Sequence, residues 1–211
     1  MTLKNITIVG IGPGSIDYVT PIARRKIEES DVLMGSERAL ALFAELEKEK
    51  IPLKGSLQDF VKIAKDKSKE KKVAVLVTGD PGLYSLLQVF SKEMDKGALD
   101  VIPGISVVQV AYARLGESWH DAKIISLHGR EPFDLVEKVK SSENIFLYTG
   151  PEFPPDKIAE FLLNNGVENR RAIVMENLTY SNEKIIDSDL KNIAKQRGFG
   201  LCVMIIKGEA S

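Results

Sequence analysis

The sequence has 211 residues, of which 44% are hydrophobic and 28% are charged, and its formal net charge is -1. A chain of this size can bury the core of one large or two small globular domains. The near-zero charge excludes the strongly basic character of a nucleic-acid-binding domain, although a local basic patch can still attract a small polyanion.

The single cysteine, Cys202, excludes an intramolecular disulfide and a cysteine-based zinc site. Its apolar surroundings predict a buried strand residue. No cluster of His, Cys and Asp has metal-ligand spacing, so no metal site is predicted. The first residues lack the basic segment and apolar core of a signal peptide, and no apolar run has membrane-spanning length. We therefore expect a cytoplasmic protein.

Short apolar runs alternate along the chain with amphipathic stretches. The apolar runs predict strands at 5–10, 31–34, 73–78, 99–102, 122–127, 144–149, 171–176 and 201–206. Because these runs show little polar alternation, they are typical of central, largely parallel sheets that are buried on both faces.

The stretches between the strands carry signals for the ends of helices. Thr20 and Pro21 predict the cap and first residue of one helix, Ser56 and Asp59 predict a capping box, and Asn165-Gly166 predicts the end of another. Strands that alternate with helices predict an α/β fold. We expect two α/β domains, at 1–116 and 123–211, joined by the bridge E-S-W-H-D.

A glycine-rich turn, V-G-I-G-P-G-S at 9–15, follows the first strand. Dinucleotide-binding loops have the spacing G-x-G-x-x-G and an acidic residue after the second strand. Here the spacing is G-x-G-x-G, Pro13 removes one amide donor, and Asp31 begins the second strand instead of following it. These departures argue against a dinucleotide site and leave open a tight turn that binds no ligand.

Two further glycine turns follow strands, in V-L-V-T-G-D-P-G-L-Y (75–84) and V-I-P-G-I-S-V-V-Q-V-A (101–111). Asp80 and Pro81 are typical of a helix cap and first helical residue, and Ser106 can cap the helix that follows it. The alternative is a ligand site, because ligands bind at the carboxyl ends of parallel strands. Three such turns on one sheet should converge on one crevice.

The segment S-L-H-G-R (126–130) ends a predicted strand near the domain junction. His128 and Arg130 are either polar loop residues or residues of the cleft between the domains, where Arg130 could pair with a substrate carboxylate. The sequence contains no G-x-S-x-G elbow or comparable nucleophile signature.

Together, the segments 9–20, 78–84, 101–109 and E-N-L-T (176–179) resemble the tetrapyrrole (corrin/porphyrin) methylase family. The resemblance implies two α/β domains, a homodimer, and S-adenosylmethionine bound in a cleft between the domains. The residues that the family pattern assigns to S-adenosylmethionine are Gly79, Asp80, Leu83, Ser106, Val107, Tyr148, Thr149, Leu178 and Gly208. Val107 stands where many relatives have a second serine, so only a main-chain contact is expected there.

The segments 31–40, 113–122 and 126–130 are similar to one branch of that family, which methylates a corrin precursor at C5. This similarity implies direct transfer of the methyl group from sulfur to carbon, without a covalent enzyme intermediate. The chain lacks the fused domain that some relatives carry for C15 methylation and decarboxylation, so a partner chain is expected to perform that step.

The same resemblance implies roles for further residues. The base candidates are Asp80, His128 and Glu176. The candidates for contact with the substrate's carboxylates are Arg38, Arg114 and Arg130, because they flank the motifs, and the alternative for each is an ordinary surface arginine. The glycine loop, with Gly10, Gly12, Pro13 and Gly14, is expected to present a wall without side chains to a large flat tetrapyrrole.

Three alternatives stay open at this point. One is a related methylase that acts on another tetrapyrrole carbon or on diphthamide. The second is a nicotinamide-dependent oxidoreductase, and the third is a ligand-binding protein without catalytic activity. Thermal stabilisation by S-adenosylhomocysteine but not by NAD would separate the first from the second.

Overall fold

A computed structural model of the chain describes residues 5–95, 97–127 and 134–208. Contacts between Cα atoms divide the chain into two compact units, Met1–Val110 and Ala111–Ser211. The division falls within a helix, Val107–Leu115. The domain bounds at 116 and 123 stay predictions.

The first unit contains a sheet in which every neighbouring pair of strands is parallel. Its strands are β1 (Ile6–Gly10), β2 (Val32–Gly35), β3 (Glu49–Pro52), β4 (Val73–Val77) and β5 (Leu99–Ile102), in the order β3-β2-β4-β1-β5. Every residue of β1, β2 and β4 is buried. Burial on both faces explains why these strands are continuously apolar in the sequence.

Most of the described helices that begin in the first unit start at a side-chain capping bond, although the helix Leu87–Glu93 has none. The α-helices that begin in this unit are α1 (Pro21–Glu28), α2 (Glu37–Ala41), α3 (Leu57–Lys67), α4 (Leu87–Glu93) and α5 (Val107–Leu115). The hydroxyl of Thr20 accepts from Ala23 N at 3.3 Å, and that of Ser56 accepts from Asp59 N at 3.1 Å. The two predicted helix starts are therefore confirmed.

The helix predicted to begin at Asp80 and Pro81 does not form there. The Asp80 carboxylate accepts from Gly82 N at 2.8 Å, as a helix cap would, and Leu83 N donates to Asp80 O at 3.2 Å. The turn then ends at Tyr84, which has a φ of 50°. Because a positive φ interrupts a right-handed helix, α4 begins later, at Leu87.

The second unit contains a mixed sheet. Its strands are β6 (Lys123–Ser126), β7 (Asn144–Tyr148), β8 (Arg171–Glu176), β9 (Lys184–Asp189) and β10 (Cys202–Lys207), in the order β6-β7-β10-β8-β9. β6 and β7 are parallel, and the other pairs are antiparallel. The prediction of a largely parallel sheet is wrong for this unit, because apolar strands that are buried on both faces carry no signal for direction.

Sequence analysis missed two edge strands, β3 and β9. β9 reads K-I-I-D-S-D, and none of its residues is fully buried. A short connection of residues 177–183 joins it to β8, as in an antiparallel hairpin. An edge strand of mixed polarity resembles a loop when only composition is considered.

The helices of the second unit that the structure describes after residue 115 are α6 (Leu135–Lys140), α7 (Pro155–Asn164) and α8 (Leu190–Ile193). α7 ends at Asn165-Gly166 as predicted, and Gly166 has a φ of 72°. In the described ranges, no helix combines the length and the apolarity needed to cross a membrane.

Candidate functional site

The three glycine turns of the first unit meet at the carboxyl ends of adjacent strands. β1 lies between β4 and β5, so the turn after each of these strands reaches the same edge of the sheet. Gly79 N donates to Gly12 O at 2.8 Å, and these two residues form an isolated antiparallel bridge. The predicted convergence of the three turns is therefore observed.

At Gly10 and Gly104, the backbone packs directly against the backbone of a neighbouring turn. A Cβ added to Gly104 would lie 2.3 Å from Gly79 O and 2.7 Å from Gly10 C. A Cβ on Gly10 would lie 2.6 Å from Gly104 N. No side chain fits at such distances, so the close approach of the turns themselves requires these glycines. A ligand is not needed to explain them.

Gly12 and Gly79 have left-handed backbone angles, with φ of 77° and 74°, and glycine adopts this conformation more readily than other residues do. A methyl group on Gly79 would meet only Ser106 Cα, at 3.7 Å, which is an ordinary contact. There is thus room beside Ser106, on the side where the turns after β4 and β5 face each other. A ligand group held by these two turns would have space at this point.

Asp80 links two of the glycine turns through its carboxylate. One oxygen accepts from Gly82 N at 2.8 Å within its own turn, and the other accepts from Gly104 N at 3.0 Å in the turn after β5. Hydrogen bonds to an ionised carboxylate are stronger than neutral ones. Asp80 therefore holds the turns after β4 and β5 together.

Ser106 caps α5 through a reciprocal pair of bonds with Gln109. Ser106 N donates to Gln109 Oε1 at 2.8 Å, and Gln109 N donates to Ser106 Oγ at 3.4 Å. This arrangement is a capping box with glutamine at its third position. It confirms the capping role of Ser106, and the hydroxyl proton remains available as a donor to another group.

The substrate wall predicted from the first glycine turn has little accessible surface in this structure. Gly10, Gly12, Pro13 and Gly14 are all buried within the chain. The predicted contact of these residues with a substrate stays a prediction.

Asp31 accepts from Lys72 N at 2.8 Å, at the start of β2, so it lies at the opposite end of the strand from the glycine turns. This position agrees with the argument against a dinucleotide site.

The end of β7 in the second unit carries two of the predicted contact residues, Tyr148 and Thr149. The Tyr148 ring packs edge-to-face on Phe146, with 5.2 Å between centroids. Thr149 Oγ1 donates to Cys202 O at 2.7 Å and lies 3.3 Å from Cys202 Sγ. Burial raises the pKa of the Cys202 thiol to about 11. The side chain of Thr149 thus fixes the end of β7 to the start of β10.

The loop after β8, with the sequence E-N-L-T, also lies at the start of β10. Glu176 Oε1 accepts from Gly200 N at 3.0 Å, and Asn177 N donates to Leu201 O at 2.9 Å. Leu178 is buried. Gly200 and Leu201, which precede β10, were not predicted as neighbours of this loop. Their contacts with it arise from the antiparallel pairing of β8 with β10, which the sequence does not reveal.

Two residues of this loop have left-handed backbone angles. Asn177 has a φ of 49° and Thr179 has a φ of 73°. Asparagine tolerates this region, but a β-branched residue in it is a true outlier. Such strain costs about 1–3 kcal/mol and persists only where surrounding contacts impose it.

Gly208 does not join this cluster. Its amide donates to Glu143 O at 2.7 Å, beside the start of β7, whereas Tyr148 ends that strand. The length of β10 separates Gly208 from Cys202 by roughly 20 Å at about 3.3 Å per residue. The contact of Gly208 with S-adenosylmethionine that the family pattern implied stays a prediction, but the antiparallel pairing of β10 places Gly208 at the opposite end of β7 from Tyr148 and Thr149.

The predicted arginines have different environments. Arg38 is exposed in α2. Arg114 Nε donates to Glu183 Oε1 at 2.6 Å, and its Nη2 donates to Glu183 Oε2 at 3.2 Å. Glu183 was not predicted from the sequence as the partner of Arg114. His128 and Arg130 lie outside the described residues.

The described residues contain no group of three or more His, Cys, Asp or Glu side chains that could hold a metal ion. The base candidates Asp80 and Glu176 both accept backbone hydrogen bonds. Many of the predicted site residues lie in two clusters, one in each unit, at the ends of strands and in the loops that follow them, whereas Arg38, Arg114 and Gly208 lie elsewhere. Loops of this kind position ligands in α/β proteins.

Comparison with known proteins agrees with these observations. The family model for tetrapyrrole (corrin/porphyrin) methylases matches residues 5–194. A probable cobalt-precorrin-7 C(5)-methyltransferase of Methanocaldococcus jannaschii is 40% identical over 97% of this chain and 98% of the relative. The cobalt-precorrin-7 C(5)-methyltransferase of Salmonella typhimurium is 31% identical over 85% of this chain and 88% of the relative.

A solved structure has a similar fold over nearly the whole chain. It is the cobalamin biosynthesis precorrin-6Y methylase (cbiE) of Archaeoglobus fulgidus, with a TM-score of 0.75 and 25% identity. The similarity covers 97% of this chain and 98% of that structure.

Proposed function

Because this chain belongs to the tetrapyrrole (corrin/porphyrin) methylase family, we propose that it methylates C5 of a corrin precursor, cobalt-precorrin-7, with S-adenosylmethionine as donor. The observation that carries the choice of C5 is the 40% identity to the Methanocaldococcus jannaschii relative over almost the full length of both chains. A homodimer, and a separate chain for C15 methylation, belong to the same proposal.

The proposed contacts with S-adenosylmethionine come from both clusters. In the first unit they are Gly79, Asp80, Leu83, Ser106 and Val107, and the room beside Ser106 supports them. In the second unit they are Tyr148, Thr149 and Leu178, which follow β7 and β8 at the same edge of the sheet. Gly208 is not part of the proposal, because it lies at the opposite edge.

The chemistry requires little covalent participation by the protein. The bond from the sulfonium to the methyl carbon breaks as the new bond to C5 forms, and a neutral thioether leaves. An electron-rich tetrapyrrole carbon is itself the nucleophile, so alignment of the reactants can supply about 7 kcal/mol or more of the barrier reduction. This mechanism agrees with a sequence that contains no nucleophile signature.

Loss of a proton after transfer requires a base, and the proposed candidates are Asp80, Glu176 and His128. Asp80 accepts from two backbone amides and Glu176 from one, so both carboxylates position loops. We propose that Asp80 acts mainly by holding the turns after β4 and β5. His128 stays a candidate base, and Arg38 and Arg130 stay candidates for contact with the substrate's carboxylates.

The alternatives differ in what supports them. Methylation of another tetrapyrrole carbon, or of diphthamide, remains the alternative, because it is compatible with the same family or the same fold. A nicotinamide-dependent oxidoreductase is not proposed, because Asp31 lies at the end of β2 that is opposite the glycine turns, which is the wrong end for a ribose contact.

The test is incubation with cobalt-precorrin-7 and S-adenosylmethionine that carries a ¹³C-labelled methyl group, followed by NMR of the product. We expect the label on C5. A label on another carbon would overturn the choice of C5 while preserving the methylase. In a parallel melting experiment, S-adenosylhomocysteine should stabilise the protein and NAD should not.

A further inference from the structure

The loop after β8 needs an explanation for its left-handed residues. Thr179 is β-branched and has a φ of 73°, a conformation that such residues avoid. The residue before it, Leu178, is buried and is a proposed S-adenosylmethionine contact. A contact that holds Thr179 in this conformation would therefore also set the position of Leu178.

Glu183 makes that contact. Its Oε2 accepts from Thr179 N at 2.7 Å, and its own amide donates to Tyr180 O at 3.0 Å. The Glu183 side chain is 20% exposed, so its hydrogen bonds are partly shielded from water. The amide of the strained residue is thus tied to a carboxylate on the same connection between β8 and β9.

Arg114 fixes this carboxylate in turn. Its guanidinium bonds to both oxygens of Glu183, at 2.6 Å and 3.2 Å. A two-point pair restricts the orientation of a carboxylate more than a single bond does. Arg114 lies near the end of α5, and 69 positions separate it from Glu183 in the sequence.

We propose that Glu183 is a positioning residue that holds the strained loop 176–179 for S-adenosylmethionine, and that Arg114 acts through Glu183 and not by binding substrate carboxylates. This inference rests on the proposed function, because Leu178 is a proposed cofactor contact. It replaces the role that the family pattern led us to expect for Arg114.

Two other observations agree with this role. The hydrogen bond from Arg114 lowers the pKa of Glu183, so its carboxylate is charged at neutral pH. The first half of the loop is held separately, by Glu176 bonded to Gly200 N and by Asn177 N bonded to Leu201 O. Glu183 thus supports the second half, where Thr179 lies.

The test compares Glu183→Gln with a matched control, Asp187→Asn. Asp187 forms its own two-point pair with Arg171, at 2.6 Å and 2.9 Å, in the neighbouring strand β9. Both variants remove one negative charge from a paired carboxylate. Three quantities are measured without turnover: hydrogen exchange of the Thr179 amide, and the separate affinities for S-adenosylhomocysteine and for the tetrapyrrole.

We expect Glu183→Gln to speed exchange at Thr179 and to weaken S-adenosylhomocysteine binding about ten-fold, while tetrapyrrole affinity changes less than about two-fold. Asp187→Asn should change all three less than about two-fold. If Glu183→Gln leaves Thr179 exchange and S-adenosylhomocysteine affinity at wild-type values, the proposal is wrong.

A double-mutant cycle tests the role of Arg114. Arg114→Ala should weaken S-adenosylhomocysteine binding as Glu183→Gln does, and the double variant should lose little more, because both changes release the same loop. A further loss of tetrapyrrole affinity in the double variant would restore Arg114 to the substrate site. These binding results are independent of which carbon is methylated. If the wild-type protein does not bind S-adenosylhomocysteine at all, the proposed function fails, while exchange at Thr179 still tests the contact with Glu183.

Discussion

The glycine turns of the first unit and the loop 176–183 of the second unit both follow sheet strands, but different forces hold them. In the first unit, the turns pack backbone against backbone, and a single Cβ on Gly10 or Gly104 would clash with a neighbouring turn. In the second unit, Glu183 holds Thr179 through its side chain. Function in the first region should therefore depend on the absence of side chains, and in the second on their charge.

The largest effect is expected from Gly104→Ala. Its new Cβ would lie 2.3 Å from Gly79 O, and backbone cannot move away as a flexible side chain can. We expect a loss of about 3 kcal/mol in unfolding free energy, measured by urea denaturation, together with loss of S-adenosylhomocysteine binding.

Gly200→Ala is the matched control, because a Cβ there would meet only Glu176 Oε1, at 4.0 Å. Its unfolding midpoint should stay close to that of the wild type. Equal stability of the two variants would mean that the glycine turns are not packed as tightly as described.

An intermediate effect is expected from Asp80→Asn, because the Asp80 carboxylate connects two of the closely packed glycine turns through hydrogen bonds. An amide oxygen can accept from Gly82 N or Gly104 N, but the amide nitrogen cannot replace the second acceptor. We expect a loss of about 2 kcal/mol in stability and weaker S-adenosylhomocysteine binding by calorimetry.

Asp59→Asn serves as the control for the change from carboxylate to amide, since Asp59 is exposed and accepts from the Ser56 hydroxyl in α3. It should retain S-adenosylhomocysteine affinity. If Asp80→Asn also retains it, Asp80 does not position the turns for the cofactor.

The smallest effect concerns Cys202, which joins the end of β7 to the start of β10. Burial raises the pKa of this thiol from 9.0 to about 11, so the folded protein keeps its proton at a pH where the unfolded chain has lost it. The resulting stabilisation is complete below the unfolded pKa and is lost as pH rises through about 11.

Between about pH 8 and about pH 10, this linkage should cost on the order of 1 kcal/mol of unfolding free energy. Cys202→Ala should lose correspondingly less stability over the same interval, whatever its stability at neutral pH. Parallel stability curves for the two proteins would show that the thiol does not contribute.

Much of the local structure could be predicted from short stretches of sequence. The helix starts at Thr20 and Ser56 and the cap at Ser106 depend on bonds between residues three positions apart. Buried strands were recognisable because burial on both faces leaves a continuous apolar run. Tyr84 was not predictable in this way, since its positive φ breaks a helix that Asp80 and Pro81 would otherwise begin.

Other features depend on partners that lie far apart in the chain. The direction of β10 decided that Cys202, and not Gly208, lies beside the end of β7. The role of Glu183 depends on Arg114, which is 69 positions away. Local patterns were sufficient for the buried strands, for the helix caps at Thr20, Ser56 and Ser106 and for the glycine turns, because propensity and capping act over a few residues. Strand direction and the pairing of distant charges arise only when the chain packs, since apolar burial favours neither direction and composition does not say which charges meet.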